Sequence, residues 1–298
     1  MQQAMSRRGG VKSGLLLSVG TFSALRVPPP QDVNTLAVRL SLMLAPVVGA
    51  GLSLVAGAVG WVGWWLAGRL DNRTMLVALV MGGLVVGALV WMTRGLHLDG
   101  LADLTDGLGS GRPAAGALEV MRDPRVGAFG AMALVLVLGL QAAALAVLIE
   151  RGTVLPMMVA VGIAARAPLA WWARRGTPTD GGGLGRSVVG TFGAVSAAGL
   201  LAGWTVVAIG CAIWGMSLAD GGTPGAGSDG GGAVLCGGSA SQPMAVAVAV
   251  VAVGLGVGCA ALLRRRAIRR LGALTGDTLG ATIEVTATVM LVVLAVAG

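Results

Sequence analysis

The chain has 298 residues, 55% of them hydrophobic and 11% charged, with 21 Lys plus Arg against 13 Asp plus Glu and a mean hydropathy of +0.85. A soluble domain carries about a quarter charged residues, so this composition belongs to an integral membrane protein. Its basic residues stand in short clusters between apolar runs, a topology pattern that argues against a nucleic-acid partner.

Residues 1–34 read as an N-terminal segment ahead of a single polytopic membrane domain, 35–298. Arg7, Arg8 and Lys12 precede the apolar stretch GLLLSVGTFSAL, which is too short to span, and RVPPP follows where a signal peptide would carry small residues. The expectation is a retained interfacial helix that ends where the prolines forbid it to continue.

Apolar runs of about 20 residues, the length a helix needs to cross the hydrocarbon core, lie near 35–67, 75–93, 128–149, 154–173, 188–217, 243–263 and 278–297. They predict an all-α polytopic bundle of seven transmembrane helices, with six to eight allowed. Alternating ten-residue strands are absent, which disfavours a β-barrel. The first and fifth runs exceed one crossing, so tilt, extension or a break is expected there. Many of the 51 glycines fall inside these runs, as in the GxxxG pair Gly83 and Gly87, and helix packing is their expected role.

Seven spans sort the basic residues. The N-terminal segment and loops 94–127, 174–187 and 264–277 hold sixteen, the opposite side holds only Arg69, Arg73 and Arg151, and Arg39 and Arg166 lie within spans. The positive-inside rule therefore places the N-terminus and those three loops in the cytoplasm. The outer loop 218–242 is a Gly/Ser-rich connector without a basic residue. Cys211, Cys236 and Cys259 form no CxxC pattern and suggest neither a disulfide framework nor a zinc site.

The stretch RGLHLDGLADLTDG, Arg94–Gly107, begins the first large cytoplasmic loop. Asp99, Asp103 and Asp106 stand at i, i+4 and i+7, on one face of a helix. Like charges so placed repel unless a cation sits between them, and Mg2+ characteristically combines one or two carboxylates with water and substrate phosphates. A magnesium–phosphate site is the resulting hypothesis, with a solvated acidic face as the alternative. Glu119 and Asp123 repeat the i, i+4 spacing in ALEVMRDPRVGAFG, on a helix ended by Pro124 and flanked by Arg122 and Arg125. Arg112, Arg122 and Arg125 are candidate phosphate ligands as well as topology determinants. His97, the only histidine, could act as base, ligand or hydrogen-bonding group.

Two further loops contribute. WWARRGTPTDGGGLGRS offers a glycine run beside Arg186, a weak phosphate cradle and not a Walker sequence. In the last loop five arginines lead to Asp277, and Glu284 follows inside the final span, where an ionisable residue is a functional candidate. Asp277 and Glu284 share a helical face, and an N-terminal cap is the structural alternative for Asp277. No Gly-x-Ser-x-Gly elbow is present.

These three loops together resemble the cobalamin synthase family, adenosylcobinamide-GDP ribazoletransferase. The family's GGLHLDGLADTADG segment stands here as RGLHLDGLADLTDG, its LE-I-M-(K/R)-D-x-R-x-G-x-F-G as LEVMRDPRVGAFG, and its GGxTGDxLGAxxE as LGALTGDTLGATIE. Order and placement match over most of residues 15–297. Arg94 replaces a usual glycine, and the N-terminal FLTRxPxP survives only as FSALRVPPP.

The resemblance implies attack of the 3′-hydroxyl of α-ribazole, or of its 5′-phosphate, on the cobinamide-side phosphorus of adenosylcobinamide-GDP, releasing GMP. It further implies Mg2+ as cofactor and a multi-pass protein of the bacterial inner membrane with the active loops facing the cytoplasm. Asp99, Asp103 and Asp106 are the expected metal ligands, with one of them or His97 taking the hydroxyl proton. Glu119 and Asp123 are further ligands, and Arg112, Arg122, Arg125, Arg186, Asp277 and Glu284 the substrate and phosphate contacts. Expected partners are the two substrates and membrane lipid, with association with other corrinoid-pathway enzymes or a second copy left open.

Two other readings fit less well. A CDP-alcohol phosphotransferase signature begins like DLTDG but continues with Ala-Arg, where this chain has Ser110 and Gly111. A transporter would spread carboxylates through several spans, whereas here they crowd one membrane edge.

Overall fold

A computed structural model describes residues 2–30, 33–179, 187–220 and 242–297. Among these residues the structure is helical, and the only extended pairings are isolated bridges between Arg174 and Phe192 and between Thr179 and Leu274. In chain order the helices are α1 (Gln2–Phe22), α2 (Thr35–Arg69), α3 (Met75–Thr93), α4 (Leu96–Gly109), α5 (Ala114–Met121), α6 (Ala128–Glu150), α7 (Val154–Arg166), α8 (Leu169–Trp172), α9 (Ala194–Asp220), α10 (Gln242–Leu271) and α11 (Gly276–Ala297).

Among the described residues seven segments are long and apolar enough to cross a membrane, making this a multi-pass membrane protein: Thr35–Arg69, Met75–Thr93, Ala128–Glu150, Val154–Trp172, Ala194–Leu218, Gln242–Leu271 and Gly276–Ala297. The expected spans are therefore present, with shifted ends. The fifth span, α9, starts at Ala194 instead of 188, and α10 continues through the arginine cluster to Leu271. The first run is one 35-residue helix that contains Pro46. The fourth span is the one that breaks, between α7 and α8, where Ala167 and Pro168 follow Arg166.

Burial orders the bundle. The most apolar window of Val154–Trp172 is 83% buried and that of Gly276–Ala297 61%, against 17–39% for the other five. The fourth and seventh spans thus form the centre, and the rest turn one face outward. α7 is held between α2 and α9, α11 between α10 and α4, and α3 lies on α6.

Close approach comes from small residues, since lipid removes much of the hydrophobic gain from helix association. A Cβ on Gly162 of α7 would meet the Gly49 carbonyl carbon of α2 at 2.8 Å. The GxxxG pair singled out from the sequence does something else. Gly83 and Gly87 are exposed, and a Cβ on either would meet nothing within 4 Å. Their neighbour Gly82 makes the contact, against the backbone of Ala142 and Ala146 on α6. The spacing matched the motif, but the helix rotates a different glycine toward its partner.

The motif-bearing segments gather at one end of the bundle. α1 packs along α2, and the Ala24 N–H donates to the Met92 carbonyl. The corner from α3 into α4 uses consecutive left-handed residues, Arg94 (φ 56°) and Gly95 (φ 65°). This conformation explains a glycine preference at position 94, because a Cβ there costs about 1–2 kcal/mol. Arg94 also gains a long-range tie, its guanidinium donating to the Gly20 carbonyl of α1 at 3.1 Å. Leu274 N–H donates to the Pro178 carbonyl at 2.8 Å, so the loops after α8 and α10 meet at the same end.

Candidate active site

Two helix starts build the site. α11 begins at Gly276 with Thr275 as its cap, the Thr275 hydroxyl accepting the Thr278 N–H at 3.1 Å. Asp277 is therefore not the cap. It lies in the first turn, where the positive end of the helix dipole favours a carboxylate.

α4 crosses this turn at very short range. A Cβ on Gly100 would sit 2.8 Å from the Asp277 Cα and 2.9 Å from its carbonyl oxygen, and one on Gly280 would sit 3.2 Å from the His97 Cα. Glycine at 100 is what lets the backbones of the two acidic motifs touch, and glycine at 280 leaves room for the tight approach beside it. Neither glycine stood out in the sequence reading, although both sit inside the quoted motifs, directly after Asp99 and three residues after Asp277.

The contact concentrates negative charge. Asp99 is exposed, Asp103 and Asp277 are half-buried, and Asp106 is 8% exposed. Burial, then the neighbouring charges of Asp99, Asp277 and Asp106, push Asp103 up to about 7. A carboxyl so placed accepts a proton near neutrality unless a cation compensates the field.

Asp106 has a separate task. Its carboxylate accepts the Gly127 N–H at 2.7 Å and the Gly130 N–H at 2.9 Å, closing the otherwise unpaired first turn of α6. The metal-ligand expectation for Asp106 thus meets a carboxylate with both oxygens engaged. Removing it as Asp106→Ala is expected to destabilise the protein by about 2–3 kcal/mol, read as a lower thermal unfolding midpoint in detergent.

Glu119 and Asp123 do not join the α4 carboxylates in a cage. α5 ends at Met121, before Asp123, so the expected shared helical face is interrupted. Asp123 instead pairs with Arg125, accepting from its guanidinium at 2.7 and 3.0 Å, and this bonding holds Asp123 down to about 2. These residues, with Asp106, Arg112 and Glu119, line an open outer cleft of about 510 Å³. The Arg112 carbonyl accepts from the Arg270 guanidinium at 2.6 Å. Arg186 lies outside the described residues. Among the described residues, no group of three or more His, Cys, Asp or Glu could hold a metal ion.

His97 and Glu284 belong to the interior. His97 is 4% exposed, with Nδ1 4.0 Å from Glu284 Oε1. Burial first, and Arg166 second, hold the imidazole down to about 3. Glu284 accepts from the Gln141 amide at 2.9 Å, and His97, Glu284, Gln141 and Arg166 border an inner cavity of about 50 Å³. Glu284 therefore turns inward and away from the phosphate-contact role expected for it. Gln141 was missed, although it is the single polar residue in α6 before the terminal Glu150, a signal in itself.

A second, larger cavity of about 280 Å³ opens beside Asp277, bordered by His97, Arg122, Thr275 and Gly276 and by apolar residues of α1, α4, α5 and α11.

The cobalamin-5-phosphate synthase family model matches residues 14–295. The chain belongs to the cobalamin-5-phosphate synthase family. Among curated relatives, an adenosylcobinamide-GDP ribazoletransferase of Frankia casuarinae is 36% identical, with 92% of each chain covered. That of a Nocardioides species is 32% identical over 90% of this chain and 91% of its own. That of a Roseiflexus species is 33% identical over 92% of this chain and 85% of its own. No solved structure matches. The α4 motif, the Glu119–Gly130 segment and the α11 motif all lie within the matched region.

Proposed function

We propose that this member of the cobalamin-5-phosphate synthase family is an adenosylcobinamide-GDP ribazoletransferase of cobalamin biosynthesis. It joins adenosylcobinamide-GDP to α-ribazole, or to its 5′-phosphate, giving adenosylcobalamin, or its 5′-phosphate, and GMP. The observation that carries the reading is the crossing at Gly100 and Asp277, which brings the two acidic motifs of the family into one charged group beside a cavity.

In the reaction the ribazole 3′-hydroxyl oxygen bonds to the cobinamide-side phosphorus, the pyrophosphate P–O bond breaks, GMP leaves with the bonding electrons, and the hydroxyl proton is lost. Phosphoryl transfer of this kind depends on positioning and charge neutralisation more than on a covalent protein nucleophile. Asp99, Asp103 and Asp277 are hard oxygen donors gathered where α4 meets α11, a chemistry that fits Mg2+ without a closed protein cage. Bound Mg2+ would neutralise charge on the pyrophosphate oxygens. Arg122, exposed and on the same cavity as Asp277, is the arginine placed to meet a phosphate there. The proton departs to a carboxylate of the α4–α11 group, because His97 is buried with a proton affinity far below that of an effective base.

The arginine bias supports a cytoplasmic position for this end of the bundle, in the inner membrane of a bacterium. Proteoliposomes holding the protein, given adenosylcobinamide-GDP, α-ribazole and Mg2+, are expected to release GMP and form cobalamin in equal amounts. Absence of both products under conditions that support a family member would refute the activity.

A further inference from the structure

The cavity beside the carboxylates has walls that no phosphate would select. Phe22 of α1, Leu118 and Met121 of α5, and Leu279 and Ile283 of α11 supply most of them. Its polar groups are few: the start of α11 with Asp277, Arg122, Thr21 and His97. An apolar hollow with a small number of placed polar atoms is the usual form of a site for an uncharged organic group.

His97 supplies a second, independent sign of a ligand. It borders both the inner and the larger cavity, and its Nδ1 is the atom nearer Glu284. The two nitrogens of an imidazole point in widely different directions, so Nε2 is turned away from Glu284. The neighbouring ring on the larger cavity is Phe22, with ring centroids 6.3 Å apart. Nε2 is buried and has no hydrogen-bond partner among the described residues, a condition that costs about 1–3 kcal/mol until something satisfies it.

Three chemical groups of the proposed substrates compete for this space. A corrinoid macrocycle is much larger than about 280 Å³. Guanine carries donors and acceptors around its edge, and apolar walls would leave most of them unpaired. The base of the acceptor nucleoside is a benzimidazole: flat, bicyclic, uncharged and apolar along most of its rim.

We infer that the cavity between α1, α5 and the start of α11 is the acceptor-nucleoside pocket, holding a flat apolar bicyclic base against Phe22, Leu118 and Ile283 with His97 Nε2 as its hydrogen-bonding contact. This rests on the ribazoletransferase reading and adds to it the place and orientation of one substrate. With the base inside, the attached ribose lies toward Asp277 and Arg122, where its hydroxyl meets the pyrophosphate. α1 is then a wall of the active site, since it contributes Thr21 and Phe22.

The experiment uses the full chain in detergent and measures two things: equilibrium binding of α-ribazole by dialysis, with guanosine as the comparison nucleoside, and steady-state GMP release. Leu118→Trp places bulk in the pocket from a half-buried position, and His97→Phe keeps the ring while removing both nitrogens. Each is expected to weaken α-ribazole binding, and to raise its KM, by about tenfold or more, with the KM for adenosylcobinamide-GDP within about twofold of wild type. Guanosine is expected to bind at least about tenfold more weakly than α-ribazole.

Wild-type GMP release together with unchanged α-ribazole binding in both variants would overturn the pocket and leave the activity standing. Nucleoside binding that Leu118→Trp abolishes, in a wild-type protein that forms no GMP, would keep the pocket and reject the activity. A rise confined to the KM for adenosylcobinamide-GDP would assign the cavity to the other substrate and overturn the inference. A variant that fails to fold shows it by losing the solubilised monodisperse form, and the other variant then carries the test.

Discussion

Asp103→Asn is expected to lower turnover on the order of 10²–10³-fold while leaving the protein inserted and its α-ribazole affinity near that of wild type. Asp103 is the half-buried carboxylate on which Asp99, Asp277 and Asp106 act together, so its charge is the one most strongly linked to whatever cation the group accepts. Asparagine keeps the shape and removes that charge. GMP release at normal rate from Asp103→Asn would take Asp103 out of the cation site.

The same field gives a pH dependence with a definite sign. Without a cation, Asp103 is pushed up to about 7, so below that pH a proton occupies the place a cation needs. Protons and Mg2+ then compete, and the Mg2+ concentration for half-maximal rate rises as pH falls, by up to about tenfold per pH unit below 7. Above pH 8 it levels off. Magnesium titrations of GMP release at pH 6, 7 and 8 measure this, and a requirement that is flat across the series would separate Asp103 from cation binding.

Gly100→Ala is the second change with a large expected effect, and it alters no charge. The added Cβ would meet the Asp277 backbone at 2.8–2.9 Å, contacts that no rotamer change relieves because the opposing atoms are main chain. α4 and α11 must move apart, and the carboxylates they carry move with them. Displacement by about 1 Å in a positioned reaction costs roughly 10²-fold in rate, so activity is expected to drop by that order with the protein still folded. Gly87→Ala, whose Cβ would meet nothing within 4 Å, is the control and is expected to keep full activity. Equal activity in the two variants would show that the α4–α11 approach does not set the geometry.

Much of this was legible before any coordinates. Span number followed from apolar run length, because hydrocarbon thickness imposes one length on every crossing. The acidic motifs were legible because charge is scarce in such a chain and stands out against it. What a single helix's spacing could not reveal was which partner helix each face meets. Asp99, Asp103 and Asp106 do share one helix, yet Asp106 is drawn to the start of α6 by two backbone N–H groups that only the tertiary arrangement brings near. Asp277 and Glu284 are likewise seven apart, yet one stays at the membrane edge and the other meets Gln141 inside the bundle. Periodicity gives direction around an axis, whereas depth and partner depend on where the axis runs.

The contact between Gly100 and Asp277 joins residues far apart in the sequence, on α4 and on α11. It therefore imposes a timetable on biogenesis. A ribosome has delivered α4 with its aspartates long before α11 exists, and throughout that interval the chain lacks the contact that gathers its acidic motifs. The proposed reaction centre is complete only once α11 has been inserted.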